Sequence, residues 1–237
     1  MRKKLNKESI FLKEGFKNIR GVGTICSTSR FAAKAMAPEI NASDKPKVIV
    51  ELGVGTGSIT KEILKHLRPK DCYIGIEAND KFLEVCKEWL CVGHPRTEKA
   101  EPRLGKSLAG LLFVNQSLCS WTNREQSSYD GNRNISVNFE HGLAQNIREI
   151  LKKYGAKEVD EIICTIPFRI LPKGDTKEIL QNVKKSLKKN GHFTFIRYLL
   201  APENKEISKE LSDFSVVSKK IIMRNIPPAE VIKMRRG

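Results

Sequence analysis

Three glycines at alternating positions, Gly53, Gly55 and Gly57, follow the apolar run Val48-Ile-Val-Glu51-Leu and precede a helix-like pattern. Glycine there lets the backbone turn sharply and approach a ligand at the carboxyl end of a strand. The spacing is G-x-G-x-G, not the G-x-G-x-x-G of dinucleotide binders, so a pyrophosphate on the helix N-terminus is disfavoured. Twenty residues beyond Gly57, the run Gly75-Ile-Glu77 ends on a carboxylate. A carboxylate at that point can accept two hydrogen bonds from a ribose diol. A glycine loop alone is a weak signal, open to reading as a tight turn. With its strand setting and Glu77 it points to a ligand that carries a nucleoside. Cys86, Cys91 and His94 cluster in sequence, but C-x4-C-x2-H lacks a fourth ligand nearby and the usual zinc spacing, so no metal is expected.

The elements that must position these residues are legible as alternation. Short apolar runs at 48–52 and 73–76 alternate with helical patterns at 59–67 and 82–90. The rhythm breaks over 92–133, a polar stretch with Pro95, Pro102 and the loop-like SSYDGNRN, read as an insertion with a small satellite core at Leu104, Leu108, Leu111 and Leu112. It resumes with a strand at 135–139, a helix at 147–154, a strand at 161–165, a helix at 177–187 and a strand at 192–199. Two strands joined by the proline-bearing turn Arg224-Asn-Ile-Pro-Pro228 close the chain. Strand and helix in alternation predict an α/β fold, a doubly wound, mostly parallel sheet of about seven strands with a hairpin at its end.

Before that sheet, Leu5, Leu12, Phe16 and Ile19 fall within about 60° of one another on a helix, while Arg2, Lys7, Lys13, Lys17 and Arg20 lie elsewhere around it. This basic amphipathic helix either packs on the body of the domain or lies on an anionic membrane surface. A second helix follows from Arg30, with Ser27, Thr28 and Ser29 as its cap supply. Residues 1–37 therefore read as a helical membrane-binding or lid segment and 38–237 as the main domain. The chain of 237 residues has 43 Lys+Arg against 27 Asp+Glu, a net charge of +16 that predicts acidic partners. No apolar run reaches the roughly 20 residues of a membrane span, and none of signal-peptide length follows the N-terminus. The six cysteines form no CxxC pair, so free thiols and a cytoplasmic setting are expected.

Glu51-Leu-Gly-Val-Gly-Thr-Gly57 followed by Gly75-Ile-Glu77 resembles the cofactor site of class I S-adenosylmethionine-dependent methyltransferases, which implies the Rossmann-like methyltransferase sheet. By that resemblance Glu51, Gly53, Gly55 and Gly57 form the loop near the methionine part, and Glu77 with Ala78 takes the ribose. The adenine position falls at His141-Gly142-Leu143-Ala144, where Leu143 replaces the usual acidic residue and a backbone amide would supply the contact. A narrower resemblance covers most of the chain outside the insertion. Gly23-Thr-Ile-Cys-Ser27-Thr28-Ser29-Arg30, Thr165-Ile166-Pro167-Phe168-Arg-Ile-Leu-Pro172 and Arg224-Asn225-Ile-Pro227-Pro228-Ala are similar to bacterial phospholipid N-methyltransferases and ornithine-lipid N-methyltransferases. That similarity implies methylation of phosphatidylethanolamine towards phosphatidylcholine, or of ornithine lipid, on the inner face of the cell membrane. Ser29 and Thr165 would then border the cofactor, and Ile166, Pro167, Phe168 and Arg197 the substrate.

Methyl transfer from a sulfonium to an amine is an in-line displacement that requires aligned atoms, excluded water and a neutral amine. At pH 7 an amine with the ordinary lysine pKa is neutral in only about one molecule in a thousand, so a proton must be drained. Tyr198 and His141, both at carboxyl ends of strands, are the candidates. The resemblance, which places an aromatic hydroxyl near the end of this strand, favours Tyr198, while His141 is equally suited to flank the adenine. Phe168 could lie beside a methylammonium through cation–π attraction. The competing readings are an RNA adenine N6-methyltransferase and a non-catalytic module that binds membrane or nucleic acid. Against the first, Thr165 stands where adenine methyltransferases carry Asn or Asp. The 69 residues after Phe168 also leave no room for a separate RNA-gripping domain, so nucleic acid is not expected as a partner. Against the second, the glycine loop and Glu77 are intact.

Overall fold

The computed structural model of the chain describes residues 28–38, 45–91, 129–130, 133–168, 171–199 and 205–237. The expected amphipathic helix of the first twenty residues and the stretch 92–128 of the expected insertion lie outside them. Helix α1 (Arg30–Met36) leads into β1 (Val48–Leu52), α2 (Ser58–His66), β2 (Cys72–Glu77) and α3 (Asp80–Cys91). Two short strands, β3 (Tyr129–Asp130) and β4 (Arg133–Asn134), pair with each other apart from the main sheet. Then come β5 (Ser136–His141), a 3-10 turn at Ala144–Asn146, α4 (Ile147–Lys153), β6 (Val159–Cys164), α5 (Lys173–Ser186), β7 (Leu187–Tyr198), α6 (Lys205–Glu210), β8 (Phe214–Ile222) and β9 (Ala229–Arg236).

The seven strands of the main sheet run in the order β5-β2-β1-β6-β7-β9-β8. The first five are parallel, and β9 is antiparallel to both β7 and β8. This is the expected doubly wound sheet closed by a hairpin. Central strands covered on both faces need nearly continuous apolar runs. In β1, Val50 and Leu52 join the core on one face with α4 and α5, while Ile49 joins the core on the other with α1, α2 and α3. In α2, Ile59 and Ile63 are buried one turn apart, which holds that helix on the second face. Edge strand β8 alternates weakly, and Val216, Val217 and Ile221 are half or more exposed.

Parallel pairing places the carboxyl ends of β1, β2, β5, β6 and β7 along one edge of the sheet. The order reverses between β1 and β6, the switch point at which a doubly wound sheet opens a crevice. The glycine loop leaves from β1 beside it. Helix α5 starts at Lys173, earlier than the 177 expected, and β7 starts at Leu187, because a left-handed Asn190 and Gly191 let the strand bulge without ending.

Candidate functional site at the carboxyl edge

Gly53, Gly55 and Gly57 all have left-handed backbone angles, with φ of 83°, 55° and 77°. The Gly53 amide donates to the Ile76 carbonyl at 2.9 Å, stitching the loop to β2. A Cβ on Gly53 would meet Thr165 Oγ1 at 2.9 Å and Ile166 Cγ1 at 3.0 Å, so this glycine is required by crowding and by φ. A Cβ on Gly55 would meet nothing within 4 Å. Its left-handed φ accounts for the glycine, and the open space beside it is room for a ligand. Gly57 opens α2 with no side-chain cap.

Glu77 is 8% exposed and holds the centre of the site. One carboxylate oxygen accepts the Gly55 amide at 2.8 Å and the other accepts the Asn79 amide at 2.9 Å. Each oxygen keeps a second acceptor direction, the capacity a vicinal diol uses. These residues fit a ribose-bearing cofactor: two acceptors, a loop with one open face, and a strand-to-helix turn.

Glu51 lies deeper. Its register partner across β1 and β2 is Gly75, and a Cβ there would meet the Tyr73 hydroxyl at 2.7 Å, so Gly75 makes room for that hydroxyl. Tyr73 and Thr60 both donate to Glu51 Oε2, at 2.5 and 2.8 Å. Complete burial pushes the Glu51 carboxyl up to about 8, so it is protonated at neutral pH, and its Oε1 has no partner. Glu51 supports the loop from beneath. Tyr73, Thr60 and Gly75 complete that support; Gly75 stands in the Gly75-Ile-Glu77 run, but sequence reading missed Tyr73 and Thr60 because they sit in ordinary strand and helix patterns.

Several expected contacts are rearranged. The Thr165 hydroxyl donates to the Gly53 carbonyl, so it fixes the loop and leaves the ligand side to the backbone. Phe168 was expected to face a methylated amine. It is 4% exposed and packs edge to face on Phe195, with ring centroids 6.4 Å apart. Its ring belongs to the core because Thr176 holds the Phe168 carbonyl at 3.2 Å and turns the loop inward. Ile166 packs against the same core, and Pro167 beside it is partly exposed. Arg197 is spent on Glu230, its register partner in β9, at 2.6 Å.

His141, at the end of β5, sits 3.1 Å from the Ala78 carbonyl and 3.2 Å from Asp80 Oδ1. It clamps the turn that follows Glu77. The Gly142 amide donates to the Glu77 carbonyl at 2.9 Å, which brings Gly142 and Leu143 next to that turn, while Ala144 is buried. Tyr198, at the end of β7, is partly buried against the core beneath α1.

Ser29 caps α1, accepting the Ala32 amide at 3.3 Å, and its own amide donates to Asn225 Oδ1 at 3.0 Å. Asn225 is buried and donates from Nδ2 to the Pro227 carbonyl at 2.7 Å. Two motifs almost 200 residues apart in sequence thus meet at the carboxyl edge, beside the end of β7, where the Leu199 amide donates to the Pro228 carbonyl at 2.9 Å.

No family model matches the chain. It is 21% identical over 222 residues to an ornithine lipid N-methyltransferase of Singulisphaera acidiphila, covering 93% of this chain and 91% of that protein. Among solved structures it is similar to the N-methyltransferase NodS of Bradyrhizobium japonicum, with a TM-score of 0.54, 10% identity and coverage of 87% and 93% of the two chains. It is also similar to a magnesium protoporphyrin IX methyltransferase of Synechocystis with bound SAM, with a TM-score of 0.52, 9% identity and coverage of 97% and 84%.

Proposed function

From the premise that this chain carries the fold of the class I S-adenosylmethionine-dependent methyltransferases, we propose that it methylates the amine of a membrane lipid, phosphatidylethanolamine or ornithine lipid, at an anionic membrane surface on the cytoplasmic side. The observation that carries the cofactor assignment is Glu77, whose two oxygens are aimed by the Gly55 and Asn79 amides beside the open face of the loop. The lipid assignment is supported by the near full-length match to an ornithine lipid N-methyltransferase and by the charge of +16. Among the described residues no helix is long and apolar enough to cross a membrane.

When bound, S-adenosylmethionine supplies an electrophilic methyl group on a positively charged sulfur. The chain's own residues do the rest. Glu77 would hold the ribose hydroxyls, the Gly53–Gly57 backbone the methionine part, and Gly142 and Leu143 the rim of the base. His141 keeps the Ala78 turn in place next to Glu77. The Tyr198 hydroxyl oxygen would accept a hydrogen bond from the amine and orient its lone pair, the proton passing on to solvent. Orientation of this kind supplies much of the rate in a displacement that needs no covalent enzyme intermediate. The test is mass spectrometry of lipids extracted after the protein is incubated with S-adenosylmethionine and vesicles of phosphatidylethanolamine or of ornithine lipid, with ribosomal RNA in parallel. A mass gain of one to three methylene units in a lipid is expected; a mass gain confined to RNA nucleosides would overturn the reading.

A further inference from the structure

Arg30, the first residue of α1, and Arg224, in the turn between β8 and β9, converge on one aromatic ring. Their guanidinium carbons lie 4.9 and 5.0 Å from the centroid of Phe31. Both arginines are exposed, and among the described residues neither makes a hydrogen bond or an ion pair with a carboxylate. Arg197 and Arg68, by contrast, are paired with Glu230 and Asp71. Two like charges gathered on one ring repel each other, so their convergence needs a cause. The fold provides one in the buried Asn225, which ties the segment before Arg30 to the segment after Arg224. A guanidinium stacked on a ring leaves its in-plane N–H donors unspent, and that fork matches a carboxylate or phosphate. Met223 and Ile226, on either side of Arg224 and Asn225, are 69% and 84% exposed. The basic pair is therefore bordered by apolar side chains, as an oxyanion on an acyl-bearing molecule would require. The turn lies at the end of β7, whose Tyr198 is in register with Ala229.

We propose that Arg30 and Arg224 form a binding site for the oxyanion, phosphate or carboxylate, of a zwitterionic amine amphiphile whose amine reaches the end of β7. The inference rests on the lipid reading above. The pair then fixes the headgroup at its anionic end while the amine is presented to the transferred methyl.

The test compares the wild type with the double variant Arg30→Gln, Arg224→Gln in two arms. In the first, inorganic phosphate is titrated at constant ionic strength and the melting temperature is followed. A phosphate-dependent rise in the wild type that the variant lacks is expected. An equal rise in both, or none in the wild type, overturns the inference whatever the enzyme methylates. In the second, transfer to soluble short-chain phosphatidylethanolamine and short-chain ornithine lipid is measured, which removes surface docking from the readout. KM is expected to rise about tenfold or more for at least one of them, with kcat much less affected and S-adenosylmethionine affinity retained. A rise for the first identifies the phosphate, and a rise for the second the carboxylate. An unchanged KM for both overturns the inference. If the wild type methylates neither lipid, the proposed function fails and the phosphate arm still decides this site.

Discussion

At the amino edge of the sheet the carboxylates of Asp71 and Asp160, at the starts of β2 and β6, are answered. Asp71 accepts the Lys47 amide, the Arg68 amide and the Arg68 guanidinium, at 2.8 to 3.2 Å. Asp160 accepts the Val48 amide and Lys188 Nζ, at 2.8 to 2.9 Å. At the carboxyl edge the same sheet carries left-handed turns, a buried carboxyl with an unpartnered oxygen and two arginines that have no acid among the described residues. The acids Asp71 and Asp160 at one edge are answered internally, and the other edge leaves capacity unspent beside the glycine loop. Unspent capacity costs stability, and it is tolerated where a ligand completes it.

That contrast can be broken at either edge. The largest effect is expected from Glu51, through pH. Its carboxyl is raised from the ordinary 4.5 to about 8 by burial, so between those values the folded state holds a proton that the unfolded state has released. Stability therefore falls as pH rises through that window, by up to about 1.4 kcal/mol per pH unit, and levels off above it. Glu51→Gln should remove the slope. Urea midpoints of both proteins at pH 5, 6, 7 and 8 check this, and parallel curves would contradict it.

A smaller loss belongs to the amino edge. Asp71→Ala strips the partner from several donors around a buried carboxylate and is expected to cost about 3 kcal/mol, read as an earlier urea midpoint. S-adenosylmethionine affinity of the folded fraction should not move, since Asp71 lies at the far end of the strands. The smallest effect sharpens the comparison at the carboxyl edge. Ser29→Ala loses the cap of α1 and should cost about 1 kcal/mol. A cost near zero in a thermal melt would mean that α1 is held by Asn225 and its packing alone.

Much of this was legible in the residues. The apolar run 48–52 coincides with β1, and Glu77 ends β2 as the alternation required, because buried parallel strands leave no choice of composition. Helix α6 was missed, since Lys205–Glu210 is short and carries little apolar periodicity. Within the site, spacing found the left-handed glycine loop and the Glu77 carboxylate that accepts its Gly55 amide. It could not show that the Thr165 hydroxyl is used on Gly53, that Phe168 turns inward or that Arg197 is neutralised by Glu230, because each depends on a neighbour from another strand. The meeting of Ser29 with Asn225 was equally invisible, because only the closing hairpin brings the two motifs together.

The central claim is that the carboxyl edge, through Glu77, holds the cofactor. Calorimetric titration of S-adenosylmethionine into the wild type and into Glu77→Ala tests it most directly. The account predicts one site in the wild type and an affinity at least about tenfold weaker in the variant, with circular dichroism showing both folded. Equal affinity in the two folded proteins, or no binding to the wild type, would contradict it.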